Sequence, residues 1–419
     1  MIRTIEVTHG VTLHAAQTDK FKTGCFSVNF LRPHCRAYAA IDALLPSVLL
    51  RATERYPDIR SISARLDELY GASFGTLVRL KGEVKSIGFY ADFIEDAFLP
   101  EGEMVFAPMV DFLREVLYRP YLENGCFAER FVEGEQQNLI NAIEAAQNDK
   151  RAFAVLRLRQ IMCEGENFGV PRLGYAEDVE KITPQMLYKH YLQVISEART
   201  ELFYAGRREA EEVAEMLRPI FAPRAAAEPI STQVIPAATR VREVEESFDV
   251  TQGKLAIGMR TGITQRDAEY PALVLLNAVY GSGVTSKLFS NVREKLSVCY
   301  YANSMLEKTK GVMLVSSGIE FENYELAKRA ILNELEACRR GEISDEELES
   351  ARRAVLSALR AALDAPARLD DFYIAKAIAG GDDIEVLIEK IRALTRDDLV
   401  LAARKITTDT IYFLKGEDA

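Results

Sequence analysis

The segment that decides the fold runs from Tyr280 to Tyr301 and reads Y-G-S-G-V-T-S-K-L-F-S-N-V-R-E-K-L-S-V-C-Y-Y. Its Gly-Ser-Gly opening is typical of a flexible turn. Thr285 or Ser286 can then cap a short helix, because both side chains accept hydrogen bonds from first-turn amides. The apolar face of this predicted amphipathic helix consists of Leu288, Phe289 and Val292. The pattern therefore predicts a turn followed by a helix that ends in residues 293–295, Arg-Glu-Lys.

A strand is predicted directly after this helix. Val298 and Tyr300 are expected on one side of it, with Cys299 and Tyr301 on the other, because side chains alternate along a strand. Arg293 and Tyr300 then flank the bend between helix and strand, where a guanidinium and a phenol converge on one extended backbone. The pattern predicts that Arg293 and Tyr300 together bind a substrate. The alternative is a surface salt bridge and a half-buried strand tyrosine.

The composition bounds the class of protein. At 419 residues the chain is too long for one core, and its length predicts two to three domains. An apolar fraction of 48% and a charged fraction of 27% are those of an ordinary globular protein and exclude extensive disorder. The 63 acidic and 52 basic residues are spread without blocks, which argues against nucleic acid as a partner.

Cysteines and apolar runs indicate the compartment. Six cysteines lie far apart with no C-x-x-C, so neither a zinc knuckle nor a disulfide framework is predicted, and free thiols favour a reducing compartment. The start, M-I-R-T-I-E-V-T, has no apolar core of a signal peptide, and no apolar run reaches about 18 residues, the length of a membrane span. We therefore expect a cytoplasmic protein with no membrane partner.

The order of predicted elements repeats after a Pro- and Ala-rich segment, Ala222 to Arg240, which is typical of a linker. The strand Cys25 to Leu31 recurs as Lys254 to Met259. The endings also match, because K-I-T-P-Q-M-L with E-L-F-Y-A-G corresponds to A-L-T-R-D-D-L with T-I-Y-F-L-K-G. We predict a tandem duplication of α+β domains, at residues 1–222 and 241–419 with a linker at 223–240, each with antiparallel strands and helices on one side.

The segment G-S-G-V-T-S-K-L-F-S-N-V-R-E-K-L-S-V-C-Y resembles the Arg/Tyr motif in the C-terminal domain of the M16 peptidases, the family of pitrilysin, insulinase and the mitochondrial processing peptidase. In that family the Arg and Tyr are seven positions apart, as Arg293 and Tyr300 are. The resemblance implies that both residues bind substrate. It also implies a fold of the LuxS/M16 metallohydrolase-like type, with two α/β sandwich domains facing one another across a cavity.

Active members of this family carry H-x-x-E-H on the first long helix, where two His bind zinc and the Glu activates water. The matching stretch is A-I-D-A-L-L-P-S-V-L-L-R-A-T, aligned by R-A-T with the family's K-G-T. Ala43 and Ser47 fall on the His positions and Pro46 on the Glu. The later Glu ligand falls on Ala142, with Glu144 nearby on a polar helix. The resemblance therefore implies a degenerate motif with no metal on this chain.

The sequence contains residues for two other kinds of chemistry. A rebuilt zinc site from His34, Cys35 and Asp42 is disfavoured, because adjacent residues on an extended chain point to opposite sides. Ser47 as a nucleophile lacks a neighbouring base in the sequence.

The resemblance implies a non-catalytic, YfmF-like subunit that binds a peptide or unfolded polypeptide. In two-subunit members the zinc lies on one polypeptide and the Arg/Tyr pair on the other, so the expected partner is a zinc-bearing M16 subunit in a heterodimer, with a homodimer as an alternative. Through this group the resemblance also implies a link to modification of elongation factor P. The alternatives are a peptide-binding scaffold without a peptidase partner and an active metallopeptidase with a non-standard zinc site.

Overall fold

The computed structural model describes residues 2–224 and 230–416. Its strands are Ile2–Thr8 (β1), Val11–Gln17 (β2), Thr23–Pro33 (β3), Ser73–Lys81 (β4), Val84–Ile94 (β5), Leu122–Glu123 (β6), Cys126–Phe127 (β7), Arg199–Gly206 (β8), Arg242–Phe248 (β9), Gly253–Arg260 (β10), Cys299–Glu307 (β11), Val312–Ile319 (β12) and Thr407–Gly416 (β13). Its α-helices are Arg36–Leu49 (α1), Ile59–Glu68 (α2), Phe106–Tyr118 (α3), Glu129–Ala145 (α4), Lys150–Met162 (α5), Ala176–Val179 (α6), Pro184–Glu197 (α7), Ala210–Leu217 (α8), Tyr270–Tyr280 (α9), Tyr324–Arg340 (α10), Asp345–Leu363 (α11), Pro366–Ala379 (α12), Ile384–Ala393 (α13) and Arg396–Lys405 (α14). Within the described residues, no helix combines the length and apolar content that crossing a membrane requires.

The first compact unit contains a six-stranded sheet in the order β1-β2-β8-β3-β5-β4. β2 and β8 pair in parallel, and the other neighbours are antiparallel. On β3 the side chains of Phe26, Val28 and Phe30 alternate onto one face, where they are buried in one core with residues of α1 and α3. This unit comprises Met1–Glu144, Val170–Ser231 and Asp364–Ile378.

The second compact unit contains a five-stranded sheet in the order β11-β12-β10-β13-β9. β13 and β9 are parallel, and the other neighbours are antiparallel. Leu255, Ile257 and Met259 of β10 are buried in a core shared with α9, α10 and α14. This unit comprises Ala145–Gly169, Thr232–Leu363 and Ala379–Ala419.

The strand orders confirm the tandem duplication. The run β2-β8-β3-β5-β4 of the first sheet corresponds, strand for strand, to β9-β13-β10-β12-β11 of the second, and the parallel pair lies in the same place in both. β4 and β11 are therefore equivalent edge strands, and the predicted Arg/Tyr segment leads directly into an edge.

Each sheet carries a helix from the other half of the sequence on its second face. α5 lies on the second sheet, where the missing side chain of Gly258 lets Met162 approach the backbone of β10. α12 lies on the first sheet, where Asp370 accepts a 2.7 Å hydrogen bond from Ser27 and forms a 2.5 Å ion pair with Arg79. The predicted helical layer covers one face of each sheet, and the structure adds one exchanged helix on the other.

The exchange makes the compact units interleave along the sequence. Residues 145–169 belong to the second unit and residues 364–378 to the first, although the predicted limits 1–222 and 241–419 assign each to the opposite half. Whether residues 1–222 and 241–419 can each fold on their own stays a prediction. The contacts of the exchanged segments give a physical reason to expect that each half needs the other.

The predicted linker, Ala222–Arg240, is partly described, with residues 225–229 lying outside the described residues. Ile230 packs against Leu31 and Val84. The backbone carbonyl of Gln233 accepts a 2.6 Å hydrogen bond from Lys310. The C-terminal part of this segment is therefore held against folded structure.

Candidate functional site

The segment that carries Arg293 folds as a π-helix, Leu288–Lys295. The amide of Leu296 donates to the carbonyl of Asn291, five residues earlier, at 3.0 Å, which is the hydrogen-bond pattern of a π-turn. The segment is anchored by two fully buried apolar side chains, Leu288 and Val292. π-turns are rare and frequent at functional sites, so the local geometry supports a role for Arg293.

Tyr300 lies where the pairing between β11 and β12 is irregular. Cys299 pairs with Ile319, but the next pair along the ladder is Tyr301 with Gly318, so Tyr300 is an extra residue on its strand. An extra residue of this kind is a β-bulge, which bends the strand and redirects a side chain. The bulge turns Tyr300 away from the sheet face that strict alternation would give it.

The predicted alternation along this strand is therefore wrong at Tyr300. Val298 is 5% exposed and Tyr300 is 56% exposed, although the two were expected to share one side. Ser297, just before them, has a φ of +52°, a left-handed conformation that reverses the chain between the π-helix and the strand. The turn and the bulge together place Tyr300 on the surface beside the end of the π-helix.

Arg293 and Tyr300 line one surface depression of about 370 Å³ in the second unit. Its other lining residues include Ser297, Cys299, Glu320 and Asn323. The side chain of Arg293 is 40% exposed, and its Nη1 lies 3.4 Å from Oε1 of Glu294. A guanidinium has five N–H donors, so this contact leaves donors for a ligand. The structure brings the two predicted residues together, and their role as substrate ligands stays a prediction.

The hydroxyl of Tyr300 donates a hydrogen bond to Glu320. Glu320 directly follows β12, the strand paired with β11, so the two side chains meet at the end of the sheet. The bond to Glu320 raises the pKa of Tyr300 above its usual value. The phenol therefore keeps its proton at neutral pH. Sequence reasoning did not identify Glu320, because its place beside Tyr300 depends on strand pairing.

The predicted degenerate metal positions lie on α1 and α4. Ala43 and Pro46 are buried within α1, and Ser47 is partly buried on the same helix. Pro46 has no backbone N–H and no group that activates water. Ala142 is exposed on α4, as is Glu144. Neither the methyl groups nor the pyrrolidine ring can coordinate zinc, so these residues do not fit the family's metal centre.

A buried ionic cluster lies beside the degenerate motif. Asp42 of α1 is fully buried, and its Oδ1 lies 2.7 Å from Nε2 of His190 and 3.2 Å from Nε of Arg32. Lys85, also fully buried, donates to the backbone carbonyl of Ala39. Oδ1 of Asp42 is thus engaged by the guanidinium of Arg32 and the imidazole of His190, as a buried charge requires. A buried Asp on the apolar face of α1 was the sequence signal for this cluster.

The alternative zinc ligands are not assembled into a site. Nε2 of His34 lies 3.0 Å from the carbonyl oxygen of Val170, and Asp42 faces His190 and Arg32. Across residues 2–224 and 230–416, no group of three or more His, Cys, Asp or Glu side chains is arranged to hold a metal ion.

Lys85 should make the stability of the protein rise with alkaline pH. Burial lowers the pKa of Lys85 to about 8, whereas an unfolded lysine titrates near ~10.4. Between these values the unfolded chain binds more protons, so raising the pH favours the folded state. Comparing urea unfolding of the wild type with Lys85→Met at about pH 8 and about pH 10 should show the difference moving in favour of the wild type by on the order of 2 kcal/mol.

The control is Lys295→Met, which removes an exposed lysine. Its difference from the wild type should stay constant between the same two pH values. A Lys85→Met difference that is equally constant would contradict the burial argument.

A family model described as "Peptidase M16 inactive domain" matches residues 181–355. The Bacillus subtilis (strain 168) protein "Probable inactive metalloprotease YmfF" is 33% identical over 411 residues, covering 98% of this chain and 96% of that protein. The inactive group expected from the sequence is represented by this relative.

Solved structures give the same fold. A conserved protein from Enterococcus faecalis V583 has a TM-score of 0.90 at 29% identity, covering 100% of this chain and 99% of that one. A peptidase M16 inactive domain from Pseudomonas fluorescens has a TM-score of 0.79 at 16% identity, covering 99% and 98%. At 16% identity, the similarity to the Pseudomonas fluorescens protein supports only the fold.

Proposed function

Because this chain belongs to the M16 peptidase family as an inactive member, we propose that it is the non-catalytic subunit of a two-subunit peptidase. In this proposal the chain binds an extended peptide through Arg293 and Tyr300, and a zinc-bearing M16 partner cleaves it. The observation that carries the proposal is the convergence of both side chains on one exposed depression. The degenerate positions on α1 leave the chemistry to the partner.

The chemistry of the depression suits a peptide backbone. Arg293 offers fixed N–H donors to a carbonyl oxygen, and Tyr300 offers a hydroxyl oxygen at the end of a sheet edge. Neither contact reads a side chain, so the expected ligand class is an extended or unfolded polypeptide of varied sequence. The partner's zinc would supply a Lewis acid and an activated water. This chain supplies binding and orientation.

The finer parts of the proposal rest on the resemblance. They are a heterodimer with the zinc subunit and a link to modification of elongation factor P. Location in the cytoplasm is proposed from the dispersed cysteines and the absence of long apolar runs in the sequence. The formal charge of -11 supports a protein or peptide partner over nucleic acid. A homodimer remains the alternative assembly for the isolated chain.

The test is reconstitution with an H-x-x-E-H protein encoded by a neighbouring reading frame. The two chains should co-purify, zinc should follow the partner, and peptide hydrolysis should require both. Near-stoichiometric zinc on this chain, lost together with an activity of its own, would instead favour the non-standard metallopeptidase. Peptide binding without any effect on an M16 partner would favour the scaffold.

A further inference from the structure

The hydroxyl proton of Tyr300 is already in a hydrogen bond when no peptide is bound. Its hydroxyl donates to Glu320, and an ionised carboxylate can only accept. A hydrogen bond to a carboxylate is about twice as strong as one between neutral groups. Turning the hydroxyl toward a neutral peptide carbonyl would therefore exchange a strong bond for a weaker one. Tyr300 is better placed to accept a hydrogen bond than to donate one.

Tyr300 and Glu320 meet at the end of one sheet. Glu320 directly follows β12, and Tyr300 lies near the start of β11, the strand paired with β12.

We infer that the hydrogen bond to Glu320 makes Tyr300 the acceptor of a backbone N–H from the bound peptide, while Arg293 donates to a backbone carbonyl, with Glu320 as a positioning residue. The inference rests on the proposed peptide-binding function and specifies its ligand. In an extended chain the N–H and C=O of one residue point to the same edge. The donor Arg293 and the acceptor Tyr300, side by side, complement that edge and make no contact that depends on the peptide's side chains.

The experiment measures binding of synthetic peptides to the full-length chain. Overlapping short peptides from casein, a disordered protein, are screened by fluorescence anisotropy, and the tightest binder is remade with each backbone amide replaced in turn by an ester. An ester removes the N–H donor and adds no bulk. At one position the ester should weaken binding to the wild type by about tenfold, the scale of one lost hydrogen bond, and should have no further effect on Tyr300→Phe.

Glu320→Gln supplies the second arm. Without the carboxylate, the hydroxyl proton of Tyr300 is no longer held by a strong acceptor. The all-amide peptide should therefore bind more weakly, and the difference in affinity between the amide and ester peptides should become smaller. The matched control is Glu322→Gln, an exposed residue just beyond Glu320 that does not line the depression, and it should behave as the wild type.

Three results would overturn the inference. Suppose that no ester weakens binding to the wild type more than to Tyr300→Phe, while Arg293→Ala still abolishes binding. Tyr300 then does not accept a peptide N–H, and the proposed function stands. If Glu320→Gln binds the peptide more tightly, Glu320 is a competitor and not a positioning residue. If no peptide binds the wild-type chain or its assembly with a partner, the proposed function falls and the inference with it.

Discussion

Arg293→Ala and Tyr300→Phe are each expected to lower turnover of the reconstituted two-subunit peptidase by about 10² or more. Arg293 would lose the donors that hold the substrate carbonyl as negative charge develops on its oxygen, and one such donor is worth about 10² to 10³ in rate. Tyr300→Phe would release the neighbouring backbone, and a misplacement of about 1 Å can cost about 10². Hydrolysis rates of the pair, measured at saturating peptide, provide the test.

Matched controls separate this effect from general damage. Tyr70 is also exposed and donates its hydroxyl to a carboxylate, that of Glu103, so Tyr70→Phe makes the same chemical change away from the depression. Arg340→Ala removes an exposed arginine paired with Glu342. Both controls should retain full turnover, and all four variants should still bind the partner. Unchanged turnover in both site variants would leave only a surface ion pair and an exposed tyrosine.

Local parts of the Arg/Tyr segment were predictable because they depend on neighbouring residues. The predicted cap forms, since the hydroxyl of Ser286 accepts a hydrogen bond from the amide of Phe289 at 3.3 Å. Leu288 and Val292 are buried as the apolar spacing indicated. That spacing fits an α-turn and a π-turn alike, however, so the π-helix could not be distinguished from the predicted helix.

The long-range parts were not predictable from pattern. The bulge at Tyr300 arises from the register between β11 and β12, and Glu320 reaches Tyr300 only through that pairing. The sequences of α5 and α12 likewise do not show which sheet buries each helix. Repeats of similar sequence make two sheets available to each helix, and only packing decides between them.

Arg260→Ala is expected to destabilise the protein by about 3–5 kcal/mol, the cost of removing one partner from a buried ionic cluster. Arg260 is 2% exposed and lies 2.6 Å from Glu166 and 2.8 Å from Asp409. Glu166 lies just beyond α5, in the exchanged segment, so this cluster holds that segment to the second sheet. Lys310, 2.7 Å from Glu166, would be left to neutralise it alone.

The pH dependence of Glu166 follows from the same contacts. Burial acts to raise its pKa, but hydrogen bonds from Arg260 and Lys310 outweigh burial and lower the pKa below its usual value. This contribution to stability is present at neutral pH and is lost as the pH falls through the lowered pKa. In urea unfolding, the free energy of unfolding of Arg260→Ala should be far lower than that of the wild type at neutral pH. The difference between the two should become smaller in acid.

A double-mutant cycle with Glu166→Ala links the loss of stability in Arg260→Ala to the exchanged segment. Because each single change leaves a buried charge with fewer partners, the double variant should lose clearly less stability than the sum of the two, by on the order of 1–3 kcal/mol. Arg340→Ala, at an exposed pair, should leave the unfolding midpoint where it is in the wild type. If the two losses simply add, Arg260 and Glu166 do not stabilise the protein through each other, and the attachment of α5 to the second sheet must come from its apolar contacts with β10.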